Sequence, residues 1–301
     1  MSTGAFLAAF LAIPTVFVAL DLVDHRWSRR DGEAPADESP GWETLLFLLA
    51  VFVVYGAIQM AGTKLAPSAP ELMEGIRVQA ARLLHRPLDA APLGGGALAI
   101  ACVAIFYLLG LWDYVLHRWF SHSPRFFFTH EYHHLPNHVT VTMPGMGVRP
   151  FAVVTSFPAT FATVVSAYAL LAVLGLPLWD LAPLKILILV HALLLTTSHS
   201  SFLRRWWWVH HAMKWLALTT PQEHVLHHTV DLRGNYGNFT VLWDRVFRTY
   251  LDPTRSEHQG HALGLPYDQD FLGAITGGWI KLPRSVRRRF RLERYCNIDE
   301  G

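Results

Sequence analysis

The sequence predicts an all-α, polytopic membrane protein with about four to five transmembrane helices. Three observations carry that expectation. Hydrophobic residues make up 52% of the 301, charged residues only 16%, and the mean hydropathy is +0.26, too apolar for an ordinary soluble domain of this length. Apolar runs cover residues 4–20, 44–62, 97–116, 151–175 and 181–197, and the last three reach, the final one narrowly, the length needed to cross a core of about 30 Å at about 1.5 Å per residue. If each run crosses once, 20 of the 25 Lys and Arg fall on the side that holds residues 21–43, 117–150 and everything after 199, which the positive-inside tendency makes the cytoplasm.

The elements follow in order. The run at 4–20 has no Lys or Arg before it and no small-residue cleavage pattern after it, so it reads as a membrane helix and not as a signal peptide. Between 66 and 96, Pro67, Pro70, Pro87, Pro92 and Gly94-Gly95-Gly96 bracket a helical segment, 71–86, suited to the membrane interface. A formal charge of +2 and the lack of a basic face interleaved with aromatics argue against nucleic-acid binding. Cys102 and Cys296 form no CxxC pair, which removes a disulfide framework and a thiolate metal site. With 17 histidines against 23 Asp plus Glu, metal chemistry here must rest mainly on imidazole.

Those histidines gather in His117-Arg-Trp-Phe-Ser-His122, His130-Glu-Tyr-His133-His134 and His224-Val-Leu-His227-His228, all on the same predicted side of the membrane. On a helix, positions i, i+3 and i+4 share a face, so each HxxHH can aim three imidazoles at one place and two such faces can converge on a metal pair. Positions 117 and 122 stand about 140° apart around an α-helix, which suits a helix end, and Pro124 makes such an end plausible. His199 closes the last apolar run and is the ninth candidate; His191 lies deeper, where it could hydrogen-bond a neighbouring helix. His138 is an undecided outer member, and His210 and His211 follow Trp206-Trp207-Trp208, which reads as an interfacial aromatic belt. The isolated His25, His85, His258 and His261 read as ordinary surface residues. Nine imidazoles exceed the three or four protein ligands of one zinc, so two metals are expected; imidazole suits iron, zinc, copper and nickel alike, which leaves the metal open. A rival reading is a membrane zinc metalloprotease, since His130-Glu131-Tyr132-His133-His134 also satisfies HExxH with Glu131 as general base. It leaves His117 and the His224 cluster without a role. A metal transporter would instead distribute its histidines or acids through several membrane helices.

The segment Thr220-Pro-Gln-Glu-His-Val-Leu-His-His228, then Asn235-Tyr-Gly-Asn238 and Leu242-Trp-Asp-Arg-Val-Phe-Arg-Thr-Tyr250, resembles the fatty acid hydroxylase and sterol desaturase superfamily. The resemblance extends upstream through Asp113-Tyr-Val-Leu-His-Arg118, His130-Glu-Tyr-His-His134 and Met143-Pro144, and so covers roughly 97–255. It implies an integral membrane enzyme with a helical cytosolic cap, two histidine-bound irons, and hydroxylation or desaturation of a lipid with dioxygen. The ligands it implies are His117, His122, His130, His133, His134, His199, His224, His227 and His228. Positions one turn either side of His199 are Leu195 and Leu203, so no second histidine accompanies it. Asp113 and Asp244 are candidate acceptors behind the imidazoles, since ligating histidines usually donate their other N–H. No dinucleotide fingerprint, fused haem domain or flavin motif is present, so electrons are expected from an external donor, cytochrome b5-like or a ferredoxin with its reductase. The basic run at 287–294 could dock such a carrier but reads first as a topology-setting tail. The chain then divides into an N-terminal membrane hairpin and interfacial connector (1–96), a catalytic domain (97–255) and a basic cytosolic tail (256–301). The lipid is left open among sterols, fatty acyl chains or head groups, ether lipids and carotenoids.

Overall fold

A computed structural model describes residues 3–30, 69–88, 94–134, 138–141 and 182–265, with isolated positions between 53 and 61 and between 161 and 170. Every regular element among them is helical, and the only pairings of extended backbone are the isolated bridges Leu218 to Thr240 and Thr229 to Leu263. The long helices are α1 (Thr3–Arg30), α2 (Ala69–Leu83), α3 (Gly95–Leu116) and α5 (Ala182–His199). Short helices follow the long ones: α4 (Glu131–His134), α6 (Ser201–Arg204), α7 (Trp207–Lys214), α8 (Pro221–His227) and α9 (Leu242–Val246). The expected runs at 44–62 and 151–175 lie outside the described residues apart from isolated positions, as does the tail from 266 onward.

Among the described residues, two helical stretches are long and apolar enough to cross a membrane, Gly4–Ser28 and Gly95–Ser121, of 25 and 27 residues. Only 11% and 22% of their most apolar windows are buried inside the protein, whereas a core helix of a soluble protein buries most of its apolar surface. Leu7, Leu11 and Val16 on α1 and Ile100 and Val103 on α3 are all more than half exposed. Large apolar side chains turned outward on consecutive turns need an apolar solvent, so the chain is a membrane protein. The inner faces do pack: Ala101, Ile105 and Phe106 of α3 meet Leu187 and Leu194 of α5 and Phe239.

Phe239 belongs to a chain segment that descends beside α3. The Tyr107 hydroxyl donates to the Leu216 carbonyl at 2.8 Å, and the Trp243 indole donates to the Tyr107 carbonyl at 2.8 Å. Tyr107 lies about 15 Å along α3 from His117 at 1.5 Å per residue. Close approach here requires Gly110, where a Cβ would collide with the Thr240 methyl. Trp215, beside this contact, is 89% exposed.

The N-terminal helix is tied to the rest by two buried carboxylates, Asp21 and Asp24. Asp21 accepts from the Val141 N–H (2.9 Å), the Ser200 hydroxyl (2.7 Å), and the Ser201 and Phe202 N–H groups (3.3 and 3.2 Å). Asp24 pairs with Arg205 one turn later. Three chain segments thus meet on α1: the stretch after His134, the end of α5 at His199, and α6. Hydrogen bonds to a charged acceptor each contribute about 1.5–3 kcal/mol, and the unsatisfied donors add to the loss when it goes. Asp21→Ala should lower the unfolding free energy by roughly 3 kcal/mol or more, read as a fall in the thermal unfolding midpoint in detergent, while Glu74→Ala on exposed α2 should shift it little.

Candidate metal centre

The first histidine pair owes its geometry to a change of helical pitch. After Leu116 the helix widens into a π-type turn, His117–Ser121, in which the His122 N–H donates to the His117 carbonyl at 3.0 Å. A bond spanning five residues brings positions five apart almost over one another, and the two rings end 5.0 Å apart. The 140° separation that an ordinary α-helix would impose is removed.

The other ligand segments are fixed by caps and a loop. Thr220 caps α8, accepting from the Glu223 N–H, while the Glu223 carboxylate accepts from the Thr220 N–H at 3.0 Å and Pro221 fills the first turn. This reciprocal box sets where α8 starts and so the orientation of His224, His227 and His228. Glu223 is also held by the Tyr250 hydroxyl at 2.7 Å, and burial still pushes its carboxyl above the usual range. Asn235, in left-handed backbone with φ 51°, clips the neighbouring loop to the Glu223 and Leu251 carbonyls and the Leu251 N–H. At Gly237 a Cβ would run into the Thr240 carbonyl, so the Asn235-Tyr-Gly-Asn238 turn needs glycine there.

All nine histidines come together, in two groups: His117, His122, His130, His134 and His227, and separately His133, His199, His224 and His228. Within each group the candidate ligand atoms lie within 4.8 Å of one another. Imidazole nitrogens bind a transition metal at about 2.0–2.1 Å, so donors on opposite sides of one ion stand about 4.2 Å apart; the spread fits one ion per group. The expectation that each HxxHH aims three imidazoles at one place is corrected. His130 and His134 join the first group and His133 the second, while His224 and His228 join the second and His227 the first. Consecutive residues on a helix diverge by about 100°, so the i+3 and i+4 imidazoles cannot share an ion, and the two helices exchange one ligand each.

The nitrogens facing inward are lone pairs. His117 Nδ1–H donates to the Tyr236 carbonyl, His227 Nδ1–H to Gly234 at 3.1 Å, and His199 Nδ1–H to Leu195 at 2.7 Å, which leaves each Nε2 as an acceptor. These Nε2 atoms face other imidazole nitrogens: His117 to His130 at 2.9 Å, His227 to His122 at 3.2 Å, His199 to His224 at 3.0 Å and to His133 at 3.3 Å. His133 Nδ1, His134 Nε2 and His224 Nδ1 are buried without a hydrogen-bond partner. Clustered neutral imidazoles of this kind fit a bound cation. Protonation does not substitute for it: burial, followed by repulsion from His117, His133 and Arg233, pushes His122 down to about 2, and burial together with the neighbouring histidines holds His130, His133, His134, His224, His227 and His228 well below the usual imidazole value.

The acceptors behind the imidazoles are backbone carbonyls, and the two candidate aspartates act one step further back. Asp244 accepts from the Tyr236 N–H (2.8 Å), the Gly237 N–H (2.9 Å) and the Thr249 hydroxyl (2.7 Å), and burial keeps its carboxyl raised to about 6 despite these bonds. Asp113 accepts from the Asn238 N–H and side-chain amide at 3.0 and 2.9 Å. Both therefore pin the loop whose Gly234 and Tyr236 carbonyls orient His227 and His117. His191 packs against Phe239, and His210 bonds Thr220; neither joins a metal group, and nor does His138. Sequence reasoning passed over Asp21, Asn235, Glu223 and Tyr250. The Thr220-Pro-Gln-Glu223 spacing is a capping-box signature that could have revealed Glu223.

Helices that expose apolar faces, with imidazoles gathered in two groups at their ends, define a membrane protein with two histidine groups that could each hold a metal ion. Residues 102–249 match the fatty acid hydroxylase family, and this segment, which contains all nine histidines, belongs to it. No curated protein and no solved structure matches the chain.

Two outcomes test the centre. The folded imidazoles titrate below the unfolded value of about 6.5, so the folded protein binds fewer protons; the stability they carry is full above about pH 6.5 and drains as the pH falls below it. Dialysis at pH 5.5 should strip metal that is retained at pH 7.5 and lower the unfolding midpoint, measured by metal analysis and calorimetry. Gly237→Ala should displace the loop behind His117 and His227 and reduce metal affinity by about 10- to 100-fold, the usual cost of losing support behind a ligand.

Proposed function

We propose that the protein is a multi-pass membrane di-iron oxygenase that hydroxylates or desaturates a lipid C–H bond, with its histidine centre on the cytoplasmic side. The observation that supports this most directly is the division of nine imidazoles, eight buried and His122 half-buried, into groups of five and four, with no carboxylate or thiolate in either among the described residues. Five donors exceed the four of a tetrahedral zinc, and family membership points to lipid oxidation. The protease reading employs His130 and His134 with Glu131, yet these two share their group with His117, His122 and His227, which a single catalytic zinc would not need.

Two irons held by these residues would supply dioxygen activation. The overall balance is then lipid, dioxygen, two electrons and two protons giving alcohol and water, or alkene and two waters. The chain's own part is to hold the donors. The π-type turn and the capped α8 fix ligand positions, and the Gly234 and Tyr236 carbonyls fix the tautomers of His227 and His117. The electrons come from a separate donor, cytochrome b5-like or a ferredoxin with its reductase.

Protein purified in detergent under low oxygen with ample iron should contain close to two irons per chain, and His227→Ala less. Supplied with membrane lipid extract, a reductant chain and ¹⁸O₂, it should place label in a lipid alcohol or, for desaturation, in water with loss of two lipid hydrogens. Glu131→Gln should retain metal and most of this activity. A single zinc insensitive to His227→Ala, with loss of all function in Glu131→Gln, would restore the protease.

A further inference from the structure

A cavity of about 380 Å³ opens over the metal groups, with His122, His134, His227 and His228 in its lining. This volume lies within the range of small-molecule sites. Its described walls come from residues beyond Ser121 and outside α5: none belongs to α1 or to the Gly95–Ser121 span. The cavity therefore reaches the histidines from among the short helices and loops, and not from between the described membrane helices. Phe127, Val230, Leu232 and Leu265 make its walls largely apolar. Apart from the histidines, Arg233 is the one charged residue in the described lining, and it is exposed. A metal-lined floor, apolar walls and a cation open to solvent match an amphiphile that inserts a chain and leaves an anionic group outside. A guanidinium recognises carboxylate or phosphate through paired N–H donors.

We propose that this cavity is the lipid-binding site, that the chain segment to be oxidised lies over His122, His134 and His227, and that Arg233 holds an anionic head, carboxylate or phosphate. The oxidation rests on the oxygenase reading given above; the binding does not.

The test is equilibrium binding of labelled palmitate, hexadecyl phosphate and hexadecanol to the iron-loaded protein in dodecyl maltoside micelles, with iron measured on the same samples. The native protein should bind at least one anionic probe roughly fivefold or more tighter than hexadecanol, the modest scale expected of a solvent-exposed ion pair. Arg233→Gln should remove that preference without changing iron content, and Arg233→Lys should restore part of it. Preference for palmitate identifies a carboxylate head and preference for hexadecyl phosphate a phosphate head, either supporting the proposal. Leu232→Trp, which fills the cavity, should weaken all three probes. Hexadecanol bound as tightly as both anions, or anion preference unchanged in Arg233→Gln, overturns it. A protein that holds two irons but shows no anion preference defeats the pocket assignment alone; one that shows the preference but holds no iron defeats the oxygenase reading alone.

Discussion

The structure depends on the gathering of largely buried imidazoles into two groups, each compact enough to hold a metal ion. Eight of the nine rings are packed so that their Nε2 atoms face one another at 2.9 to 3.3 Å, mostly across different chain segments. Each ring has given up its hydration, which is costly, and His117, His199 and His227, whose Nδ1–H groups are engaged by carbonyls, turn Nε2 lone pairs toward their neighbours. The widened turn at His117–Ser121, the capped start of α8 and the clipped loop at 234–238 hold this unfavourable arrangement in place. Burial of each group is therefore matched by an exact local constraint on its backbone.

Much of the site was legible in the sequence because its chemistry is concentrated in short motifs. Two HxxHH boxes and the His117/His122 pair contain eight of the nine histidines that the structure gathers into two groups, and the apolar runs at 4–20, 97–116 and 181–197 correspond to α1, α3 and α5. What was hidden depends on geometry that spacing does not determine. Assigning three imidazoles of one box to one place neglected the 100° between consecutive residues, which sends His133 and His227 across to the other group. A five-residue gap reads as a poor helical pair until the backbone adopts a wider turn, and nothing in Arg118-Trp-Phe-Ser121 announces that turn. Asp113 and Asp244 were identifiable as polar residues near ligands, but their action through Asn238, Tyr236 and Gly237 needed the folded loop.

Asp21 illustrates contact that no local pattern encodes. It lies outside the family segment, in a helix that composition explains as a membrane crossing, yet its partners are 120 to 181 residues away. Through Ser200 and Val141 it joins the segments that follow His199 and His134, which serve different metal groups. The N-terminal helix thus contributes to the alignment of the two groups as well as to residence in the bilayer.

The composition of the ligand set has an electrical consequence. Many metal pairs in helical proteins are held by carboxylates, whose negative charge offsets that of the ions. Here imidazoles bring none, and Asp113 and Asp244, which support the loop behind them, have their charge directed at backbone N–H, side-chain amide and hydroxyl donors. Two divalent ions would therefore leave a concentrated positive charge within a low-dielectric enclosure. Such an enclosure would draw small anions from the surrounding water, and fluoride or azide would compete for the space over the ions that the proposed oxygenase reaction would give to dioxygen.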